Sequence, residues 1–181
     1  MVPATAAVVV SAAILIVSGS YKLLRPRPVA SSVQELFLLQ SPPMRAARLL
    51  GVAELGTAVI ICLVATPLAA IPLVILGLAF ASAGCWALLA KRRVECNCFG
   101  PMPSGSKLGA TQLLYLPLWL LAAVGVAVAA DSISEPAERL ALLGAASAAA
   151  AAASAAGVLR AVAPLTQSRL SDLRGRLEAQ S

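Results

Sequence analysis

An all-α, polytopic membrane helix bundle is the fold class this sequence predicts, and three observations carry the prediction. The chain is 60% hydrophobic and only 12% charged, about half the charged fraction of an ordinary soluble domain. Its apolar residues fall into five runs of about bilayer-spanning length, separated by segments where charges and prolines gather. Aromatic residues make up only 4% while alanine is abundant, which suits helices packed closely in lipid through small side chains. With a mean hydropathy of +0.88, the expected surroundings are membrane lipid. The net charge of +6 does not point to nucleic acid, because the basic residues lie beside apolar runs. There they set topology and contact anionic headgroups.

The first run, Val2 to Ser20, is read as a transmembrane helix. A secretory signal peptide would carry positive charge before its apolar stretch, and here the charges follow it. Lys22, Arg25 and Arg27 then mark a membrane boundary, with Pro26 and Pro28 stopping the helix. Residues 29–45 are too polar to span. Val33, Leu36, Phe37 and Gln40 recur at helical spacing, with Ser31 or Ser32 as cap, which predicts a short amphipathic helix at the interface. Such a helix is either a plain connector or a lid near the loop that follows the third span. Ser41, Pro42 and Pro43 end it.

Arg45 and Arg48 open the second span, Ala46 to Ala65, which contains Glu54. An ionisable residue inside a membrane helix is expensive and suggests function or a buried partner. Two roles stay open for Glu54: an ion pair with Lys22 or Arg48 that fixes helix packing, or proton handling near thiols. Thr66 and Pro67 begin a turn, and the third span runs from Ile71 to Ala90. The fourth, Leu108 to Ala130, carries Tyr115 and Trp119 with Pro117 between them, where a kink is expected. Asp131, Ser134, Glu135 and Pro136 form a helix-start signal. The fifth span, Ala137 to Val162, is almost polyalanine. Gly144 and Ala148 in a small-xxx-small pattern suit a close-packed membrane helix. A basic tail, residues 164–181, follows.

Between the third and fourth spans, residues 91–107 are where the chain becomes chemically specific. The segment reads KRRVECNCFGPMPSGSK. Cys96 and Cys98 are two positions apart, a separation that overlaps the range a disulfide accepts, so the pair can close on itself with strain. Strained, exposed disulfides are the exchange-competent kind. Lys91, Arg92 and Arg93 favour the nucleophilic thiolate. Phe99 and Gly100 follow directly, and Gly100, Pro101, Pro103 and Gly105 forbid a regular helix, which puts the pair on a tight, exposed loop. Packing as small apolar residues is disfavoured by such neighbours. A metal is not expected: zinc wants four ligands, the chain has no His, and Cys62 and Cys85 lie within apolar runs.

The order of these features, a first span ending SGSYKLL before prolines, a second opening RAARLLGVAELG, and CNCFG after the third, resembles the MauE/DoxX family of redox-associated membrane proteins. The resemblance covers roughly residues 5 to 130. It implies that residues 1–130 form a four-helix core, similar in outline to the thiol-oxidoreductase bundles of the vitamin K epoxide reductase and disulfide-bond-formation type. Residues 131–163 are then an additional Ala-rich fifth helix. In the methylamine-utilisation branch, the family is associated with maturation of the disulfide-rich small subunit of methylamine dehydrogenase. By position, Cys96 and Cys98 match the family's cysteine pair, and Glu54 its second-helix acid. The arginine-asparagine pair expected early in the fourth span is replaced by Gly109, Ala110, Thr111 and Gln112.

The function expected is that of a thiol-disulfide redox protein whose Cys96 and Cys98 pass electrons, supported by Glu54, Lys22, Arg92, Arg93, Phe99 and Gly100. Its partner would be a thioredoxin-like or other thiol protein, and a quinone is a candidate electron acceptor. The contrasting class is a non-catalytic assembly subunit in which the loop disulfide is a structural clip. A carrier using Glu54 would need the internal repeats and broken helices that the sequence lacks. With five spans, every Lys and Arg except Arg139 falls on the side of the cysteine loop. The positive-inside rule then puts that loop in the cytoplasm and the N-terminus outside. Oxidation of secreted substrates, which the resemblance suggests, would instead need the cysteines on the outer face.

Overall fold

A computed structural model describes residues 2–64, 66–92, 94, 108–130 and 135–156, and among them there is no strand. The helices are α1 (Val2–Leu24), α2 (Pro26–Phe37), α3 (Met44–Leu63), a 3₁₀ turn (Pro67–Ala70), α4 (Ile71–Leu89) and α5 (Ala110–Ala130). A sixth, α6 (Pro136–Ala156), follows. Five of these, all but α2, are long and apolar enough to cross a membrane. The protein is a polytopic helical membrane bundle.

Two antiparallel helix pairs build the frame. α1 lies against α3 in the most extensive contact of the fold, α4 lies against α5, and α1 joins the pairs by also packing on α5. The core between them is made by Val8, Ala12 and Leu15 of α1, Ala58, Ile61 and Cys62 of α3, Leu73 and Leu76 of α4, and Ala123, Val126 and Ala129 of α5. Short side chains predominate, so helix axes come close and backbone and side chains interlock directly. A Cβ added at Gly19 would lie 2.8 Å from the Gly51 carbonyl oxygen, and one at Gly51 would lie 2.8 Å from that of Gly19. These two glycines therefore form the contact point of α1 with α3.

Three expectations change. α1 continues past Ser20 to Leu24, and Lys22 is not a boundary residue but fully buried; its charge is answered inside the bundle, so the helix can carry it inward. Pro26 does not merely stop α1. It occupies the first turn of α2, where a missing N–H costs nothing and the fixed φ suits a helix. Ser31 and Ser32 consequently lie inside α2 and donate to the Pro28 carbonyl at 2.9 and 3.0 Å rather than capping. The buried face of α2 is Val29, Ala30 and Leu36, with Val33 half-buried and Phe37 and Gln40 exposed.

The third change concerns α6. Only a narrow stripe, Ala146 and Ala150 with Leu142 and Leu143 beside it, turns inward. Gly144 and Ala148 face outward, and a Cβ at Gly144 would meet nothing within 4 Å. The two alanines are the most deeply buried residues of this stripe and the leucines flank them half-buried, as expected where small side chains let helices approach in lipid. α5 starts at Ala110, two residues after the expected Leu108, and runs through Pro117 to Ala130.

The close approach at Gly19 and Gly51 yields a direct test. Gly51→Ala should destabilise the bundle by about 1–3 kcal/mol, the usual cost of overpacking, because its new methyl meets backbone that cannot turn aside. Gly56→Ala on the same helix, where the added Cβ has open space, should be neutral or slightly stabilising. Reversible unfolding in detergent measures both, and equal stabilities would exclude a tight α1–α3 contact at this point.

Candidate functional site

Two constellations lie toward the same end of the bundle, where α1 and α4 finish and α3 and α5 begin. The first grows from helical spacing. Ser18 and Lys22 are four residues apart on α1 and share a face, as do Gly51 and Glu54, three apart on α3. Contact at Gly19 and Gly51 brings those two faces together. The Lys22 ammonium donates to both Glu54 carboxylate oxygens at 2.8 Å and to the Ser18 hydroxyl. Three hydrogens thus meet three acceptors, the full donor capacity of a lysine. Both residues are fully buried.

Aromatic rings close this site on the α4 and α5 side. The Phe80 ring centroid lies 5.7 Å from the ammonium, within cation–π range. Phe80 in turn stacks on Trp119 with centroids 6.0 Å apart. Trp119 reaches this place because it lies over Gly77, where a Cβ would approach its own Cβ to 2.9 Å. Of the two partners open to Glu54 in sequence, the structure uses Lys22, while Arg48 is exposed on the outer side of α3.

The second constellation is the base of the cysteine segment. α4 ends with Lys91 in a left-handed conformation at φ 51°, and Arg92 N–H returns to the Ala87 carbonyl at 2.9 Å. Leu108 N–H donates to the Val94 carbonyl at 2.8 Å, joining the two strands of chain that enter and leave residues 95–107. Val94 and Leu108 are buried together with Ala87 of α4 and Leu36 of α2. Arg92 binds this neck to α2, donating from Nη1 to the Glu35 and Leu36 carbonyls, both at 2.9 Å. Those are among the last carbonyls of α2, the negative end of its dipole and a favourable place for a cation. Phe37 adds a ring stack on Trp86, centroids 6.4 Å apart.

Where the arginine-asparagine pair was expected, Gln112 performs a local task. Its Oε1 accepts from the Gly109 N–H at 2.9 Å, and Gly109 has φ 143°. Gly84 of α4 leaves room for both, since a Cβ there would lie 2.8 Å from the Gln112 Cβ. The start of α5 is thereby held against the end of α4.

Of the residues singled out in sequence, Lys22 and Glu54 meet each other and Arg92 holds the neck. Arg93, Cys96, Cys98, Phe99 and Gly100 lie outside the described residues. Phe80 and the neck are about three turns apart along α4, roughly 16 Å of helical rise, so the ion pair is set deeper than the base of the cysteine segment. Sequence reading missed Ser18, Phe80, Val94 and Leu108. Ser18 could have been found by its spacing from Lys22, whereas Phe80 depends on how α4 crosses α1.

A family model described as methylamine utilisation protein MauE matches residues 1–130. No curated protein and no solved structure matches the chain.

Glu54→Gln should lower stability by about 3–5 kcal/mol, because it leaves the Lys22 ammonium buried without its counter-charge. Lys22→Met combined with Glu54→Gln should regain most of that loss, as the uncompensated charge is then gone. A double variant no more stable than Glu54→Gln alone, in detergent unfolding, would show that the pair is not the source of the effect.

Proposed function

The chain belongs to the MauE family, and from that premise we propose that it is an integral membrane thiol-disulfide redox protein that supports disulfide formation in, or maturation of, a partner protein. The observation that carries this reading is Cys-Asn-Cys-Phe-Gly within a segment whose two ends, Val94 and Leu108, are fastened to each other and to α2. A base of that kind fixes the two described residues that flank the cysteine segment, Val94 and Leu108, at one end of the bundle. In sequence, Gly100, Pro101, Pro103 and Gly105 disfavour a regular helix there.

The chemistry follows from thiol-disulfide exchange. A thiolate, from the partner or from this chain, attacks one sulfur of the opposing disulfide and a mixed disulfide forms. The second cysteine of the attacking pair then displaces it, so that one pair ends oxidised and the other reduced. Two electrons and two protons change sides. Cys96 and Cys98 carry these steps, and Lys91 and Arg93 favour the thiolate. Arg92 acts instead as a positioning residue, through its bonds to α2. Lys22 and Glu54 hold α1 to α3, a role favoured over proton handling by their direct pairing and by their place beside Phe80, which lies about three turns of α4 from the neck.

Methylamine utilisation is the process that the family description names, maturation of methylamine dehydrogenase is the step within it that we propose, and a thioredoxin-like or other thiol protein is the partner class that fits exchange chemistry. A quinone as electron acceptor would suit the groove of about 480 Å³ between α1 and α5, lined by Val10, Ser11, Ile14, Tyr115, Leu118, Trp119 and Ala122. Its walls are apolar, and the Ser11 and Tyr115 hydroxyls can meet carbonyl oxygens.

Cys98→Ser and Cys96→Ser should each abolish function, and one of them should accumulate a mixed disulfide with the partner, visible as a reducible adduct on a gel. Cys62→Ala, in the core at the far end of α3, should leave activity intact. Activity retained by the Cys96→Ser/Cys98→Ser double variant would end the redox reading.

We assign the cysteine segment to the cytoplasmic face, since, with the buried Lys22 set aside, every Lys and Arg but Arg139 lies on its side of the five spans. A thiol reagent that cannot cross membranes, applied to intact reduced cells, should label Cys96 and Cys98 only after permeabilisation. Strong labelling without permeabilisation would place the segment outside.

A further inference from the structure

Where α1 passes into α2 and α3 begins, the fold gathers three arginines that the sequence disperses. A cleft of about 500 Å³, within the range of ligand sites, is lined by Tyr21, Leu24, Arg25, Pro26, Arg27, Pro28, Met44 and Arg48. No acidic residue lines it. Arg25, Arg27 and Arg48 form no ion pair among the described residues, where Lys22–Glu54 is the salt bridge present. The first turns of α2 and α3 both line the cleft and neither has a side-chain cap; Pro26 and Pro28 offer no N–H, so the positive dipole ends of the helices add to the three guanidinium groups only through the field. Its wall is apolar on one side, with Leu24 82% exposed, and it continues onto the outward leucine and valine of α3, Leu49 and Val52.

We propose that this cleft binds the phosphate headgroup of an anionic membrane phospholipid. Guanidinium groups match phosphate oxygens with paired N–H donors, and the Tyr21 hydroxyl can add a further donor. A free phosphate shares that chemistry, but the exposed Leu24, Leu49 and Val52 beside the cleft suit acyl chains and would gain nothing from a soluble anion. The concavity also distinguishes these residues from Arg45, which sits one turn before Arg48 on α3 and lies outside the lining. The site is independent of the thiol chemistry.

The test uses the full chain in nanodiscs of phosphatidylcholine with and without phosphatidylglycerol, with retained lipid counted by native mass spectrometry. Arg27→Gln and Arg48→Gln should each weaken phosphatidylglycerol retention about fivefold, and the triple Arg25→Gln/Arg27→Gln/Arg48→Gln variant on the order of a hundredfold, as expected for charges at a lipid surface. Arg45→Gln is the control and should retain lipid nearly as the unaltered protein does. Circular dichroism checks that each variant is folded, and the single variants carry the result if the triple one is not. Equal loss in Arg45→Gln, or unchanged retention in Arg27→Gln and Arg48→Gln, would overturn the site. Displacement of phosphatidylglycerol by inorganic phosphate at millimolar concentration would overturn the lipid assignment in favour of a soluble anion.

Discussion

A lysine and a glutamate buried face to face inside a membrane bundle constrain everything around them. Each charge removed from water costs several kcal/mol, repaid only when geometry is good and remaining hydrogen-bonding capacity is met. Here the ammonium has three acceptors in Ser18 and the two Glu54 oxygens. That arrangement demands that α1 and α3 approach until Gly19 and Gly51 touch through their backbones. Larger residues at either position would part the helices and with them the pair. The glycines and the ions are one device: the small residues make the approach, and the charges make any other register costly.

The second helix pair repeats the solution without charge. Gly77 receives Trp119 and Gly84 receives Gln112, so bulky or polar side chains on α5 enter notches on α4. Gly125 of α5 lies so near α1 that a Cβ would come within 2.7 Å of the Ala7 Cβ. In lipid there is little hydrophobic gain from burying leucine against leucine, and association rests on close packing and internal polar contacts. This explains how a chain with 4% aromatic residues holds together, with Phe80 placed against the Lys22 ammonium and Trp119 stacked on Phe80. α6 lies outside this economy of notches. It offers the core only Leu142, Leu143, Ala146 and Ala150, and its remaining surface faces outward.

The spans were legible because length and hydropathy alone specify them, and boundaries read from prolines and charges came within a few residues for α3, α4 and α5. Lys22 was misplaced for a physical reason. A cation after an apolar run ordinarily marks the headgroup region, and only its partner 32 residues later, itself read as ambiguous, moves it into the bundle. Pro26 was read as a stop because proline ends helices, yet the same residue starts them, and no local signal says which neighbour wins. The buried face of α2 was half legible: Leu36 fits the periodicity, whereas Val29 and Ala30 face inward because Ala47 of α3 packs with them. Gln112 illustrates the limit of resemblance. Its place in the family pattern suggested a departure, and its contact with Gly109 shows a residue serving local structure instead.

The neck of the cysteine segment joins these separate parts. The proposed thiol exchange needs a sulfur that a second protein can approach along the disulfide axis, and a segment tethered at its base meets that need better than one free at both ends. The Leu108 N–H bond to the Val94 carbonyl closes the base of that segment, and joining the two ends of a segment lowers its conformational entropy. Arg92 then ties the base to α2, and α2 is tied to the bundle by Val29, Ala30 and Ala47. The Lys22–Glu54 pair acts on the same chain of contacts from below, by setting how α1 delivers α2 and where α3 begins. A change at Glu54 therefore reaches the neck at Val94 and Leu108 through helix positions, and its effect on the proposed exchange should scale with loss of fold rather than with pH. That distinguishes a scaffold acid from a proton donor even when both variants are slow.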